Sequence, residues 1–304
     1  MKRSKEGKKP LKTLETTKNN PSIGGLLLID KAEGVTSRSV DNAIGRLFHT
    51  HKVGHLGTLD PFATGLLVVA VNKGTKFLPY LEDGEKTYVA ELQLGAKTTT
   101  GDCLGEVVEE RSVPELSEEE IEAALKSMKG KQKQIPPMTS AKKVEGQALY
   151  KMAHKGIEIE RKPIDIEILS TKLISYDNVN KRVIFAARVS KGTYMRTFGE
   201  DFSVRIGTIG YLKALRRTAI GNISVEEARP IESVDEGSFL NPLSLMNGIE
   251  KVEIRQEFVK KAQDGVPVNL ESKSERIVLV CEGKPIAIYR RKEGTLFVSE
   301  RGLF

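Results

Sequence analysis

The apolar pattern opens with Leu26-Leu27-Leu28-Ile29, a short unbroken run of the kind that forms a strand buried on both faces. Asp30 to Ser37 then reads as a turn that ends at a helix N-cap, Thr36 or Ser37. Within Ser39 to Phe48, the residues Val40, Ala43, Ile44, Leu47 and Phe48 recur at helical spacing. Leu66 to Val71 is a second unbroken run and predicts another buried strand, followed by a short helix over Lys76 to Leu81. Tyr88, Ala90, Leu92 and Leu94 alternate with outward positions, as a half-buried strand requires. Ser117 precedes three glutamates and then Ile121, Ala124, Leu125 and Met128, which predicts a capped amphipathic helix with an acidic start and a basic end.

Further along, a helix is expected over Gln147 to His154 and a strand over Val183 to Val189. Ser190 to Thr197 reads as a turn into a helix containing Phe198, Phe202 and Ile206. Ile231 to Gly248 is loop-rich, and the pattern restarts as three short strands, Ile277 to Cys281, Pro285 to Arg290 and Thr295 to Ser299. Gly283 and Gly294 separate them, so the end of the chain predicts a small β module. No internal repeat is visible.

The chain has 304 residues, more than one domain usually takes, so a large domain with a smaller companion is expected. Hydrophobic residues at 39% can furnish a core, while 29% charged residues and a mean hydropathy of -0.30 describe a soluble protein. No apolar run approaches the roughly 20 residues that span a bilayer. The basic start, Met1-Lys2-Arg3-Ser4-Lys5, is followed by polar sequence, not by the apolar stretch of a signal peptide, and a cytoplasmic protein is inferred. Cys103 and Cys281 lie far apart with no metal-ligand spacing, so neither a disulfide framework nor a metal site is indicated.

The net charge of +7 matters less than its distribution. Met1 to Asn20 carries +5 and has almost nothing to bury, so disorder is expected there. Lys126 to Lys162 holds ten Lys/Arg against three Glu. Clustered cations meet phosphates and release counterions, which points to a nucleic-acid partner; a merely solvated face is the alternative. Ile135-Pro136-Pro137 and the adjacent Lys142 and Lys143 suggest an exposed arm within this segment.

Candidate chemistry concentrates in Lys52 to Leu67, where Asp60 stands among glycines, Pro61 and His55 just ahead of the second apolar run. Gly54, Gly57 and Gly65 open backbone conformations closed to other residues, and Pro61 restrains Asp60 toward extended geometry. A turn starting at Asp60-Pro61 with no chemistry is the plain alternative. The string Gly-His-x-Gly-Thr-Leu-Asp-Pro-x-Ala-Thr-Gly-Leu-Leu resembles the signature of the tRNA pseudouridine-55 synthases, the TruB family. Asp-Lys-Ala-Glu-Gly-Val-Thr-Ser at Asp30 to Ser37, Lys86-Thr87-Tyr88, Lys191-Gly192-Thr193-Tyr194 with Arg196, and Tyr211 to Ile220 resemble further segments of that family. Ala32 replaces a proline in the first of them.

The resemblance implies an α+β pseudouridine synthase fold, a mixed and largely antiparallel sheet flanked by helices, with a small C-terminal PUA-like module. Its implied layout is a basic tail over 1–22, a catalytic domain over 23–248 with a thumb arm near 131–160, and an RNA-binding module over 249–304. It makes Asp60 the nucleophile, Tyr88 and Arg196 its catalytic partners, and His55, Tyr194, Leu215, Lys31, Lys142 and Lys143 substrate-binding residues. Arg216 and Arg217 are left open between structural and RNA-facing roles, and Asp102 is assigned no catalytic role. The implied reaction is isomerisation of an extruded uridine in the T-arm stem-loop of tRNA, with no cofactor, no metal, no membrane partner and a monomeric enzyme. Whether the carboxylate attacks sugar or base, or assists loss of a proton, stays open. Rival readings are a guide-RNA-dependent synthase subunit, an RNA-binding or folding protein with a silent site, and a glycosidase. The last of these would need a second carboxylate.

Overall fold

The computed structural model describes residues 24–81, 84–138, 143–144, 147–148, 161–246 and 248–303. The expected order of elements is largely present. The first apolar run forms β1 (Gly25–Lys31), Thr36 caps α1 (Ser37–Leu47) by accepting from the Ser39 amide, and β2 (Val53–Leu56) follows. The second apolar run forms β3 (Thr64–Val71) and the alternating segment forms β4 (Lys86–Leu94). Between them the expected helix appears as two short 3-10 turns, Asn72–Lys76 and Leu78–Tyr80, because Pro79 interrupts the amide ladder. A small pair, β5 (Ala96–Thr98) and β6 (Val107–Glu110), flanks the loop containing Asp102.

Ser117 and Glu120 form a reciprocal capping box on α2 (Glu118–Ser127), as the Ser-Glu-Glu-Glu pattern predicts. It is followed by β7 (Gly130–Gln134) and a two-residue pair, β8 (Lys143–Val144) with β9 (Gln147–Ala148). The helix expected over Gln147 to His154 lies outside the described residues except for Gln147-Ala148, which pair as strand. Two long strands come next, β10 (Ile164–Asp177) and β11 (Arg182–Val189), then α3 (Met195–Arg205), β12 (Gly210–Ile220) and the short β13 (Ile223–Ser224).

Among the described residues, nine strands form the main sheet in the order β1-β3-β12-β4-β11-β10-β7, with β2 on β3 and β13 on β12. Only β12 and β3 pair in parallel, through Arg216↔Thr64 and Arg217↔Gly65, so the sheet is mixed and largely antiparallel as expected. On one face α2 and α3 cover Tyr88, Leu92, Ile168 and Phe185; Phe198 and Phe202 of α3 tilt against Phe185 at 5.3 and 6.3 Å between ring centres. Such aromatic pairs add about 0.5–1.5 kcal/mol each beyond their burial and fix the helix that carries Arg196. On another, α1 buries Val40 and Ile44 against Leu27, Ile29, Leu67 and Val69.

The loop-rich segment after β13 has a definite task. Arg229 and Leu240 exchange backbone hydrogen bonds with Leu28, Asp30 and Leu26, so the segment covers the outer edge of β1. An uncovered edge would offer a template for unwanted pairing. The chain ends in a five-stranded sheet, β14 (Glu250–Glu253), β15 (Val268–Asn269), β16 (Arg276–Cys281), β17 (Lys284–Glu293) and β18 (Leu296–Gly302), ordered β14-β16-β17-β18-β15 beside α4 (Gln256–Gln263). Its Val278, Val280, Ile288 and Leu303 join one hydrophobic cluster with Leu26, Leu28, Leu66 and Val68 of the main sheet. Among the described residues no helix is long and apolar enough to cross a membrane.

Candidate active site

The loop between β2 and β3 is held at nearly every residue. Ser37 at the start of α1 donates to the Leu59 carbonyl at 3.1 Å and accepts from the Leu59 amide at 2.9 Å. The Pro61 carbonyl accepts from Gly34, and the Ala63 amide closes a turn onto the Asp60 carbonyl. Leu59, Phe62 and Ala63 are buried, which sinks the loop into the core on either side of the carboxylate. Arg217, fully buried, donates to the Gly57 carbonyl and the Leu66 carbonyl, both at 2.8 Å, and so ties β12 to both ends of the loop. Gly65 has φ +101°, and a Cβ there would come within 2.3 Å of the Arg217 carbonyl oxygen. Only glycine permits that approach.

Arg196, in the first turn of α3 and 4% exposed, meets Asp60 as a fork: Nε lies 2.9 Å from Oδ2 and an Nη donates to Oδ1 at 3.2 Å. Its other Nη donates to the Thr100 carbonyl at 3.0 Å and lies 3.7 Å from Asp102 Oδ2. Planar two-point recognition orients the carboxylate and favours its ionised form. Burial pushes the Asp60 carboxyl above its ordinary value; Arg196 opposes that, Asp102 adds to it, and Lys31 opposes it. The site thus keeps a carboxylate with less hydration than water would give it, aimed by one guanidinium.

These groups stand in a cleft of about 280 Å³ lined by Asp60, Tyr88, Tyr194, Arg196 and Leu215, with Lys86 and Lys191 among the remaining walls. Five of the residues singled out from sequence therefore converge on one cavity, although they come from the loop, β4, β12 and α3. Tyr194, the N-cap of α3, is fixed by Gln134 of β7, whose side-chain amide donates to its carbonyl at 3.1 Å and accepts from its amide at 2.8 Å. Gln134 is buried and was not identified from sequence; a lone glutamine beside two prolines carries no pattern that would mark it. Asp102, assigned no role from sequence, is also buried and shares Arg196 with Asp60. It does not line the cleft, so it supplies no second carboxylate of the glycosidase kind.

Lys31 and His55 are not among the residues that line the cleft. Lys31 has no exposed surface; its amine donates to the carbonyls of Val35 at 2.6 Å, Ala32 at 2.9 Å and Pro61 at 3.3 Å. It braces the Asp60 loop from behind and does not line the cleft. His55 does not line the cleft either. Its Nδ1 lies 2.9 Å from Asp41 Oδ2, and its Nε2 lies 3.1 Å from Oγ1 of Thr58, which does line it. With both nitrogens engaged, the ring offers carbon surface for contact, which suits packing better than proton transfer. Lys142 lies outside the described residues, and for Lys143 the structure describes only its strand pairing. The arginines left open from sequence divide: Arg216 forms a two-point pair with Asp30 at 3.0 and 2.7 Å, and Arg217 is the internal tie described above.

The model of the TruB family pseudouridylate synthase N-terminal domain matches residues 45–195. The tRNA pseudouridine synthase B of Chromobacterium violaceum is 40% identical over 266 residues, covering 85% of this chain and 86% of the relative. That of Streptococcus sanguinis is 36% identical over 282 residues, covering 89% and 97%, and that of Hydrogenovibrio crunogenus 41% over 225 residues, covering 73% and 74%. Among solved structures, a chain of a Cbf5-Nop10-Gar1 complex superposes with a TM-score of 0.70 at 19% identity, covering 93% of this chain and 86% of that one. A chain of an H/ACA ribonucleoprotein bound to a substrate RNA containing 2′-deoxyuridine gives 0.68 at 17% identity, covering 96% and 92%. At such identities these structures speak for the fold alone.

Proposed function

Because this chain belongs to the TruB family of pseudouridylate synthases, we propose that it isomerises uridine 55 in the T-arm loop of tRNA with Asp60 as the nucleophile. The chain is a tRNA pseudouridine synthase: it converts uridine to pseudouridine in tRNA, in line with relatives that span most of its length. The finer reading rests on one observation, the Asp60–Arg196 fork in a cleft walled by Tyr88, Tyr194 and Leu215.

The reaction breaks the bond from C1′ to N1, turns the uracil, joins C1′ to C5 and releases the C5 proton. A carboxylate can serve it by covalent addition or by steadying positive character at the sugar. The fork favours the ionised form of Asp60 and aims it, and Tyr88 and Leu215 give the detached base an apolar wall. Since the target base sits in a folded loop, it enters extruded, with the carbon surface of His55 packing where it left the stack. Lys142, Lys143 and the terminal β module contact RNA outside the loop, and the enzyme works as a stand-alone monomer. The relatives named tRNA pseudouridine synthase B at 36–41% identity support independence from a guide RNA over the ribonucleoprotein chains at 17–19%.

Tritium release from tRNA carrying 5-³H-uridine tests the reading. Asp60→Asn should abolish release while RNA affinity stays within about tenfold, roughly 1.4 kcal/mol. Full release by that variant would remove Asp60 from the role.

A further inference from the structure

The face that α1 turns toward the catalytic loop carries two buried polar residues one turn apart, Ser37 and Asp41, beside the apolar Val40 and Ile44. Residues at i and i+4 lie one above the other on a helix. Ser37 grips Leu59 through both of its backbone polar groups, and Asp41, 3% exposed, grips the His55 ring at Nδ1. One helical face therefore holds both the entrance and the centre of the loop that presents Asp60.

We propose that Asp41 is a positioning residue for His55, holding the imidazole with a proton on Nδ1 and with Nε2 toward Thr58, so that the ring stands fixed beside the uridine cleft. This rests on the reading above that His55 packs against the RNA. A buried carboxylate is a costly support. Its other contact is Arg38 at 3.6 Å, and that arginine is 76% exposed. Asp41 Oδ1 has no hydrogen-bond partner among the described residues. A group so poorly repaid by its surroundings destabilises the fold unless it is replaced by an apolar one. An ionised carboxylate only accepts hydrogen bonds, so the proton between the two groups belongs to Nδ1, and Nε2 is left to accept from the Thr58 hydroxyl. Rotation of the ring would break both contacts at once.

The test compares kcat/KM for tritium release, and Tm, among wild type, Asp41→Leu, Asp41→Asn, His55→Ala and the double variant Asp41→Leu/His55→Ala. Asp41→Leu should lower kcat/KM about tenfold, short of the ~100-fold that a 1 Å misplacement can cost, with Tm equal to or above wild type. Asp41→Asn keeps an acceptor and should stay within about threefold of wild type. In the His55→Ala background Asp41→Leu should have no further effect, since it acts only through the ring. Wild-type kcat/KM in Asp41→Leu, or an equal loss on top of His55→Ala, would overturn the proposal. The long-range ¹H–¹⁵N spectrum of the wild-type imidazole needs neither RNA nor a variant: a proton on Nδ1 supports the assignment, and a proton on Nε2 alone overturns it. Absence of wild-type turnover would instead refute the functional reading, with the spectrum still deciding the Asp41–His55 contact.

Discussion

Lys31 connects the support of the Asp60 loop to a measurable pH dependence. Burial draws its amine down from 10.5 to about 8; Asp60 opposes the change and Arg217 reinforces it. Between about 8 and 10.5 the unfolded chain therefore holds a proton that the folded protein has released. Stability contributed by this group rises with pH across that window, because the unfolded state binds more protons there. At 1.36 kcal/mol per pH unit, the gap between the two values corresponds to about 3 kcal/mol. Lys31→Met keeps a long side chain without the titrating group. Urea unfolding of both proteins at intervals from pH 7 to 10.5 gives the difference in stability, which should grow in favour of wild type by about 3 kcal/mol over the window. Parallel curves would refute the claim that this amine is desolvated behind the loop. Below about 8 the amine is charged and helps hold Asp60 ionised, so Lys31→Met should also move the acid limb of kcat/KM to higher pH.

Asp102→Asn removes a negative neighbour that raises Asp60 and loosens the guanidinium they share, so the acid limb should move to lower pH while kcat falls by about tenfold. A pH–rate profile checks both, and an unmoved limb with full kcat would make Asp102 a bystander. Gly65→Ala places a Cβ against the Arg217 carbonyl at φ +101°. Left-handed strain alone is about 1–2 kcal/mol for an L-residue, and the clash between β3 and β12 adds to it. A urea midpoint unchanged from wild type would contradict that geometry.

The elements legible in the sequence were those whose pattern is local. β1, α1, β3, β4 and α2 follow unbroken or periodic apolar residues, and the Thr36 and Ser117 caps stand where short polar side chains precede them. β12, the strand that unites the two halves of the site, was visible only as a resemblance. Bulges between Leu212 and Ala214 and between Arg217 and Ala219 break its alternation, and the charged Lys213, Arg216 and Arg217 interrupt its apolar pattern. The length of β10 is concealed in the same way by two register shifts against β11. Within the site, Asp60, Tyr88, Tyr194, Arg196 and Leu215 belong to motifs, whereas Gln134, Asp102 and Asp41 act by reaching across the fold. Asp41 did leave a trace: it falls on the apolar stripe of Val40 and Ile44, where a carboxylate has no local reason to be.

The cluster that joins Val278, Val280, Ile288 and Leu303 to Leu26, Leu28, Leu66 and Val68 packs the terminal sheet directly on β1 and on β3, the strand that follows the Asp60 loop. A transcript that touches both surfaces meets a gauge of fixed span, not two hands on a string. If the terminal sheet meets RNA as proposed, stem length becomes a criterion of selection in its own right: a hairpin of the wrong length would miss one surface, although every chemical group it needs is present.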